Sequence, residues 1–476
     1  MPMAQADLPT TASRSDRDRP SLARLAAERT HALRFSDIPA DVVALAKTHL
    51  LDQLGVGLAA ASLPRNRPLN ALGGVFGAGG RSTALGLAAP VAASAAALRN
   101  GALMHSLEYD GTHTAAVVHA GSVVAPAALA VSEDVGASGA DLLRAFVLAW
   151  EVFVRIGLAA PGTFSRHGFQ FTAVGGPFAA ALAAALVLGL EEHRVTHALG
   201  ISGSQASGVM EFVHEGGTVK ALHAGWPAHA GLLAAHFAEA GMTGPSSIFE
   251  GGHGFYAAYA RDVEAPARLR SHLYTLGKHW HFRETALKVR ASCHYIQPFL
   301  ECLETLLNRG LERADVAAIH CEVPRGEEGL ICEPWDEKLQ PSSAYQAKFS
   351  LPYALGAMLV DGDVTIATFE GPARPEVCAR AARVSWSPMP DGDFPNRYGA
   401  RLMVTTRSNE NLSAEVADVR GTPGRPFAPG ELSHKFYDCA RRMLRGDAPD
   451  ALAAAVDALD NAPDLAALAR ALRCVR

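Results

Sequence analysis

Residues 173–190 read A-V-G-G-P-F-A-A-A-L-A-A-A-L-V-L-G-L and contain no charged side chain. The run is long enough to span a membrane, but alanine contributes little to membrane insertion and no aromatic anchors flank it. Because it is apolar on every side, it predicts a helix buried among other helices. Its small side chains let those neighbours approach closely. This stretch therefore favours a large helical bundle.

Similar apolar-periodic runs fill the chain up to about residue 270, and each ends at Gly, Pro, Asn or a capping residue. They predict further helices over 39–61, 91–109, 122–134, 139–159, 177–190, 193–209 and 226–240. Most of these side chains belong to a core and carry no chemistry.

The pattern changes between about residues 285 and 420. Short alternating segments predict strands over 316–323, 381–386 and 400–406, with helices over 297–309 and 345–361. Residues 408–429 are rich in Gly, Pro and polar side chains, and helical periodicity returns through 450–473. The predicted fold class is mainly α with an inserted α+β domain. Its parts are a flexible N-terminal tail (1–34), a helical domain (35–280 and 426–476) and the inserted α+β domain (281–425).

The composition limits the classes of function. The chain has 476 residues, 49% hydrophobic and 19% charged, as is typical of a globular protein with two domains. A net charge of −5, without a basic stripe, argues against nucleic acid as the partner. The N-terminus lacks the apolar segment of a secretory signal, and the seven cysteines form no C-x-x-C pair. We therefore expect a cytoplasmic protein that neither spans a membrane nor binds a metal.

Potential acid–base groups are densest at 108–122, which reads E-Y-D-G-T-H-T-A-A-V-V-H-A-G-S. Asp110-Gly111 resembles a helix end with Gly111 in a left-handed cap, and Ser122 resembles the N-cap of the next helix. The first helix end would raise carboxylate pKa values and the second would attract anions. The pattern indicates a functional site, although Asp110 could instead cap its own loop.

Two further stretches supply cations. T-V-K-A-L-H-A-G-W-P-A-H at 218–229 places Lys220 and His223 on one helical face after Thr218, a plausible N-cap. The alternative is a solvated helix start. L-K-V-R-A-S-C-H-Y at 287–295 alternates Lys288 and Arg290 as a strand would, so both could point into one cleft.

The Cys293-His294 pair invites comparison with thiol nucleophiles. Adjacent residues rarely face each other, however, and a packed cysteine is the better interpretation.

Together these stretches resemble the MmgE/PrpD family. The matching segments follow the family's order from about residue 35 to 470: 108–113 with 119–121, 219–225, 249–256, 288–293, A-K-F-S-L-P-Y at 347–353, R-G-T-P-G-R-P-F at 420–427 and Lys435-Phe436. The resemblance implies a homodimer of the fold described above, without metal or redox cofactor.

The family's activities include 2-methylcitrate dehydration, cis-aconitate decarboxylation and iminodisuccinate epimerisation, all of which transfer protons beside a carboxylate. The resemblance therefore implies a small carboxylate as substrate and His119 as the best candidate to move a proton. The implied catalytic residues are His119, Glu108, Thr112 and Tyr353, and the implied substrate-binding residues are Lys220, His223, Lys288, Arg290, Asp110 and Gln170.

Several positions depart from the family's pattern. Gln170 and Gln297 stand where histidines are usual, Gly111 replaces an Asp, Ala120 replaces a Pro, and Arg290 replaces a Tyr. Gln170 cannot transfer a proton at neutral pH, and Arg290 could recognise an extra anionic group or occlude the pocket. Three hypotheses follow. The first is a cofactor-independent lyase, a dehydratase or a decarboxylase, acting on a small di- or tricarboxylate such as 2-methylcitrate or an aconitate-like acid; dehydration is favoured because it is the family's commoner assignment. The others are an epimerase or isomerase of an amino- or imino-dicarboxylate and a carboxylate-binding pseudoenzyme.

Overall fold

The computed structural model describes residues 19–69, 71, 78–394 and 396–475. Helices dominate the first part of the chain, as their apolar periodicity predicts. In chain order they are α1 (Leu22–His31), α2 (Ala40–Ala61), α3 (Ala93–Ser106), α4 (Ala120–Val135), α5 (Gly139–Leu158), α6 (Thr163–Arg166), α7 (Phe171–Val187), α8 (Glu192–Ser202), α9 (Phe212–Glu215), α10 (Leu222–Glu239) and α11 (Ala265–Tyr274).

The centre of this bundle is α7, which is buried from Phe171 to Leu186. Helix α10 packs against α7 on one side and α3 on the other, and glycines allow the close approach. A Cβ atom at Gly225 would overlap the carbonyl oxygen of Leu98, and one at Gly231 would overlap that of Pro177. The predicted close packing of small residues is therefore found where α10 crosses both neighbours.

The second part of the chain combines helices with a sheet. Its helices are α12 (Gln297–Asn308), α13 (Glu328–Ile331), α14 (Trp335–Leu339), α15 (Ala344–Ala347), α16 (Leu351–Asp361) and α17 (Pro375–Ala381). The strands of the described chain are β1 (Ala78–Ser82), β2 (Thr112–His113), β3 (Thr285–Ala286), β4 (Val316–Pro324), β5 (Val384–Met389), β6 (Ala400–Thr406) and β7 (Asn411–Val416).

The last four strands form one sheet in the order β5-β4-β6-β7. Strands β4 and β5 are parallel, whereas β6 runs antiparallel to both β4 and β7. Helix α12 packs on β6 and β7 and also contacts α16, which together enclose a separate hydrophobic core. This arrangement confirms the predicted fold class, while the domain boundaries at 281 and 425 stay predictions.

The chain then returns to the helical bundle through α18 (Glu431–Ala440), α19 (Ala448–Asp457) and α20 (Ala466–Leu472). Helix α18 packs on α2, so both ends of the chain share one core. A two-stranded antiparallel ladder pairs β2 with β3, with Thr112 opposite Ala286 and His113 opposite Thr285. This ladder brings the acid–base segment 108–122 against the segment that carries Lys288.

The N-terminal prediction needs correction. Residues 1–18 of the predicted flexible tail lie outside the described residues. The tail is wrong for α1, whose Leu22, Ala23 and Ala27 are fully buried in the bundle. Ser21 caps this helix by accepting a hydrogen bond from the main-chain N–H of Arg24. A serine before an apolar-periodic run is a sequence signal for a helix start, and the prediction of a tail overlooked it.

Local predictions around the candidate site also change. Helix α3 ends at Ser106, and Glu108 rather than Gly111 adopts the left-handed conformation. Helix α4 begins after His119, so Ser122 lies inside the helix and is not its N-cap. Gly217, not Thr218, precedes the 3₁₀ turn at Thr218–Ala221. Strand β7 lies in the segment 408–429, where no strand was predicted.

Among the described residues, no helix has both the length and the apolar character needed to cross a membrane.

Candidate active site

A cavity of about 110 Å³ is lined by residues from both parts of the chain. Its polar lining consists of Glu108, Thr112, His119, Ser165, Gln170, Lys220, Lys288, Cys293, His294, Tyr295 and Tyr398. The cavity shares Phe212, Val213 and Phe349 with a larger one of about 710 Å³, which has aromatic walls but fewer acid–base groups. The chemistry is therefore concentrated in the smaller cavity, and the larger one lies beside it.

Glu108 is the anionic centre of this cavity. Its Oε1 accepts hydrogen bonds from Lys220 Nζ at 2.5 Å and from the Tyr345 hydroxyl at 3.0 Å. Lys288 Nζ lies 3.7 Å from Oε2 and donates to the Glu108 carbonyl oxygen at 3.0 Å. Burial alone would raise the pKa of Glu108, but Lys220 and Lys288 bring it below its ordinary value. The left-handed backbone of Glu108, with φ of 54°, is a strained conformation of the kind that functional sites retain.

Asp110 lies behind the cavity and holds His119. Its Oδ2 is 2.7 Å from His105 Nδ1, 3.2 Å from His119 Nδ1 and 2.5 Å from the Ser122 hydroxyl. Burial alone would raise the pKa of Asp110, but the two imidazoles hold it well below its ordinary value. Thr112 Oγ1 also lies 3.4 Å from His119 Nδ1. Among the described residues Nε2 of His119 makes no hydrogen bond, so it is the ring nitrogen available to the cavity.

Gln170 connects two histidines. Its Oε1 lies 2.6 Å from His223 Nδ1, and its Nε2 lies 3.5 Å from His105 Nε2. With an amide donor facing His105 Nε2, the proton of that ring sits on Nδ1 and points to Asp110. Gln170 therefore does not transfer protons, but it fixes the ring orientation of both histidines.

Three helices have their N-terminal ends at or beside the cavity, although His223 itself does not line it and contacts Gln170 behind the wall. His119 is the N-cap of α4, Gln170 is the N-cap of α7, and His223 lies in the first turn of α10. The partial positive charge at helix N-termini favours a bound anion. Burial lowers the pKa of His119 and of His223 to about 4 each, so both imidazoles are neutral near pH 7. An anionic ligand in the cavity would raise both pKa values.

His294 is a site residue that sequence reasoning missed. It is buried and lines the cavity, and neither of its ring nitrogens has a hydrogen-bond partner among the described residues. Burial, with Lys288 nearby, lowers its pKa well below the ordinary value. A buried polar ring without partners is costly unless a ligand satisfies it. The sequence invited a thiol-nucleophile interpretation of the neighbouring Cys293, but burial raises the pKa of its thiol to about 11.

Two predicted site residues lie elsewhere. Tyr353 packs in the core of the α+β domain, where its hydroxyl accepts a hydrogen bond from the main-chain N–H of Arg374. Arg290 points away from the cavity and binds Asp363 at 2.7 Å and Glu304 at 2.9 Å. The prediction that it shares a cleft with Lys288 is wrong because the segment forms no strand at these positions.

Gln297 has a structural role where a histidine was expected. Its Oε1 accepts from the main-chain N–H of Arg290 at 3.0 Å, and its Nε2 donates to the carbonyl of Arg290 at 2.8 Å. Ser292 Oγ accepts a further bond at 3.1 Å. The side chain therefore fixes the loop that follows Lys288.

One group in the site has the spacing of metal ligands, since ligand atoms of His105, Asp110 and His119 all lie within 4.8 Å of one another. The third neighbour of the shared Asp110 oxygen, after the two imidazoles, is the hydroxyl of Ser122, a hydrogen-bond donor. A fully buried carboxylate oxygen that accepts from two imidazoles and a hydroxyl is typical of a residue that orients an acid–base histidine. We therefore interpret the group as part of the proton-transfer machinery.

The neutral state of buried His223 predicts a pH-dependent stability. An unfolded histidine has a pKa near 6.5, so lowering the pH from 7 to 5 protonates the unfolded chain but not the folded one. At pH 5 this difference opposes folding by about 2 kcal/mol. Glutamine does not titrate, so we expect His223→Gln to remove this destabilisation. As the pH falls from 7 to 5, the free energy of unfolding of the variant should rise by about 2 kcal/mol relative to that of wild type. Urea unfolding at both pH values measures it, and a pH-independent difference would contradict the assignment.

Buried ammonium groups, an ionised carboxylate and oriented imidazoles around one cavity are typical of an enzyme that binds an anion and transfers protons. Residues 24–267 match the MmgE/PrpD N-terminal domain, and residues 291–461 match the MmgE/PrpD C-terminal domain. The chain belongs to the MmgE/PrpD family, which confirms the resemblance found in its sequence.

Curated relatives match along nearly the whole chain. A cis-aconitate decarboxylase of Aspergillus terreus is 27% identical over 461 residues, covering 93% of this chain and 94% of that protein. The cis-aconitate decarboxylase-like protein oryM of Aspergillus oryzae is 27% identical, covering 92% and 94%. The cis-aconitate decarboxylase of Mus musculus is 26% identical, covering 93% and 91%. The chain is thus an enzyme of this family and acts as a lyase.

Proposed function

We propose that this protein is a cofactor-independent decarboxylase of a small unsaturated tricarboxylic acid of the cis-aconitate type. The observation that carries the proposal is His119, which lines the cavity beside Lys220 and Lys288 and has its Nδ1 held by Asp110. The relatives named cis-aconitate decarboxylase support the choice of substrate class.

The reaction needs a binding site for carboxylates and one proton for carbon. The bond between the departing carboxylate and its methylene carbon breaks, and the electron pair forms a double bond to the central carbon. The pair of the original double bond moves to the vinyl carbon, which takes a proton. Carbon dioxide and an unsaturated dicarboxylate result, and the enzyme regains its proton from water.

Lys220 and Lys288 bind the substrate carboxylates in this proposal. Both ammonium groups contact Glu108, so the pair is preorganised and its positive charge is partly compensated. A multiply charged anion would need more positive charge than the two lysines supply. Protonation of neutral His119 and His223 on binding would provide it, together with the helix N-termini.

His119 delivers the proton to carbon. The Asp110 carboxylate at 3.2 Å stabilises its imidazolium form once the substrate has raised the pKa from about 4. Thr112 lines the cavity beside this ring. Behind it, Gln170 fixes the ring orientations of His105 and His223. Charge that develops on the substrate lies close to Lys220 and Lys288, which stabilise it.

Dehydration of a hydroxy-tricarboxylate is the second candidate. The observation that favours it is the unpartnered imidazole of His294, because dehydration needs both a base for the C–H proton and an acid for the departing hydroxyl. A decarboxylase needs only one proton carrier at carbon.

The two candidates are separated by incubating purified protein in deuterated water with cis-aconitate, citrate or 2-methylcitrate and following the products by NMR. The proposal expects carbon dioxide and a terminal methylene signal from cis-aconitate, with one deuterium at the former vinyl carbon. Loss of water from citrate or 2-methylcitrate would instead show that the protein is a dehydratase and would overturn the decarboxylase proposal. Deuterium exchange in an imino-dicarboxylate without a change of skeleton would indicate an epimerase, and binding without turnover a pseudoenzyme.

We also propose a cytoplasmic homodimer, as the family resemblance and the sequence composition suggest. Light scattering after size-exclusion chromatography tests the dimer against the 50.0 kDa chain mass, and fractionation of the source cells tests the compartment.

A further inference from the structure

A second group of titratable residues, the histidine–glutamate cluster, consists of His113, His279, His281 and Glu284. Both oxygens of Glu284 are engaged: Oε1 lies 2.6 Å from His279 Nε2, and Oε2 lies 2.8 Å from His281 Nδ1 and 3.3 Å from His113 Nε2. Ligand atoms of His113, His281 and Glu284 all lie within 4.8 Å of one another. Three imidazoles therefore converge on one carboxylate outside the candidate active site.

The ring of His113 acts as a hydrogen-bond donor in this cluster. Its Nδ1 accepts the main-chain N–H of Ala116 at 3.2 Å, so in the neutral ring the proton sits on Nε2 and points to Glu284. Residue His113 is buried on β2, opposite Thr285, and cannot move far. It is therefore placed to orient the carboxylate, as outer residues commonly do at metal sites.

The other three members have the chemistry and the access of metal ligands. Two imidazoles and one carboxylate are the donor set that Zn²⁺ and similar ions prefer. The side chains of His279 and Glu284 are 54% and 43% exposed, so an ion can reach them from solvent. The second ring nitrogens of His279 and His281 make no hydrogen bond among the described residues, so the ring protons can move there when a metal binds. His272, whose ring lies 6.4 Å from that of His281, is the next imidazole outward.

We propose that His281 and Glu284, whose ligand atoms lie within 4.8 Å of each other, bind a divalent transition metal ion such as Zn²⁺ together with the exposed His279, which contacts the other Glu284 oxygen. His113 orients the carboxylate. Residue spacing does not indicate this site, because H-W-H-x-x-E at 279–284 matches no common zinc spacing and His113 lies far from it in the chain. The site is distinct from the cavity, although β2 carries both His113 and the cavity residue Thr112.

Titration of tag-free, metal-stripped full-length protein with Zn²⁺ by isothermal calorimetry tests the proposal. We expect a single tight site per chain and a raised Tm. His279→Ala, an exposed and therefore mild change, and Glu284→Gln should each weaken binding at least about tenfold and abolish the rise in Tm.

His236→Ala is the matched control, because within the described part of the chain His236 contacts a single carboxylate, that of Glu239 at 2.9 Å. Binding should be unchanged in that variant and in His119→Asn, which alters only the cavity group. Absence of Zn²⁺ binding at micromolar concentrations would overturn the proposal. Binding that survives both cluster variants, or that is lost in His119→Asn, would overturn it as well.

Discussion

His119→Asn is expected to lower kcat about 10³-fold while leaving the protein folded. Asparagine places its side-chain N–H near the position of the imidazole Nδ1, so the hydrogen bond to Asp110 at 3.2 Å can persist. What the variant lacks is Nε2, the nitrogen that is free to meet the substrate. Because Lys220 and Lys288 remain, KM should change far less than kcat.

Steady-state rates with cis-aconitate, together with deuterium incorporation by NMR, measure this effect. His167→Ala is the control, since His167 is an exposed histidine that precedes the cavity residue Gln170 by three positions and should tolerate the change. A His119→Asn variant that retains more than about a tenth of wild-type kcat would remove His119 from the proton-transfer step.

Asp110→Asn is the second large effect, and we expect kcat to fall about 10² to 10⁴-fold. Asp110 does not line the cavity, so it acts as a positioning residue through His119. An asparagine amide would donate to Nδ1 of His119 where the carboxylate accepts, and the ring proton would then move to Nε2. The variant would also lose the negative charge that stabilises the imidazolium, which lowers the pKa of His119 further.

The pH profile distinguishes positioning from a structural role. The pKa that governs the protonated form of His119 in the substrate complex should shift to lower pH in Asp110→Asn, so the residual activity should rise as the pH falls. Ser122→Ala is the matched control, because it removes one hydrogen bond to Asp110 and leaves the charge in place. A profile parallel to wild type, or an equal loss of kcat in Ser122→Ala, would contradict the positioning role.

The sequence alone identified much of the candidate site. Glu108, Asp110 and His119 lie within one short segment, and their chemistry is visible from composition. Lys220 and His223 were visible from their spacing of three residues, although Lys220 lies in the 3₁₀ turn and α10 begins only at Leu222. The family resemblance then placed Lys288 beside them. These residues lie in or beside one cavity because α3, α4 and α10 pack against one another through small side chains.

Other residues could not be assigned correctly in this way. Tyr353 was expected at the site, but the hydroxyl that reaches Glu108 belongs to Tyr345, one short helix earlier. Arg290 and Lys288 were expected to point together, yet an irregular segment turns their side chains apart. His294 was overlooked because its importance lies in what it lacks, and unsatisfied ring nitrogens are a property of the folded surroundings.

Apolar periodicity by itself determined that this protein is a helical bundle with a smaller α+β domain. The spacing of apolar residues along a helix predicts whether one face or every face is buried. The residue types in the segment 108–122 likewise indicated its acid–base chemistry without any structure. Only the tertiary structure decided which carboxylate is paired with lysines, which histidine keeps a free nitrogen and which imidazoles converge on Glu284. These properties depend on distances between segments far apart in the chain, and on the burial that shifts pKa values, neither of which residue spacing encodes.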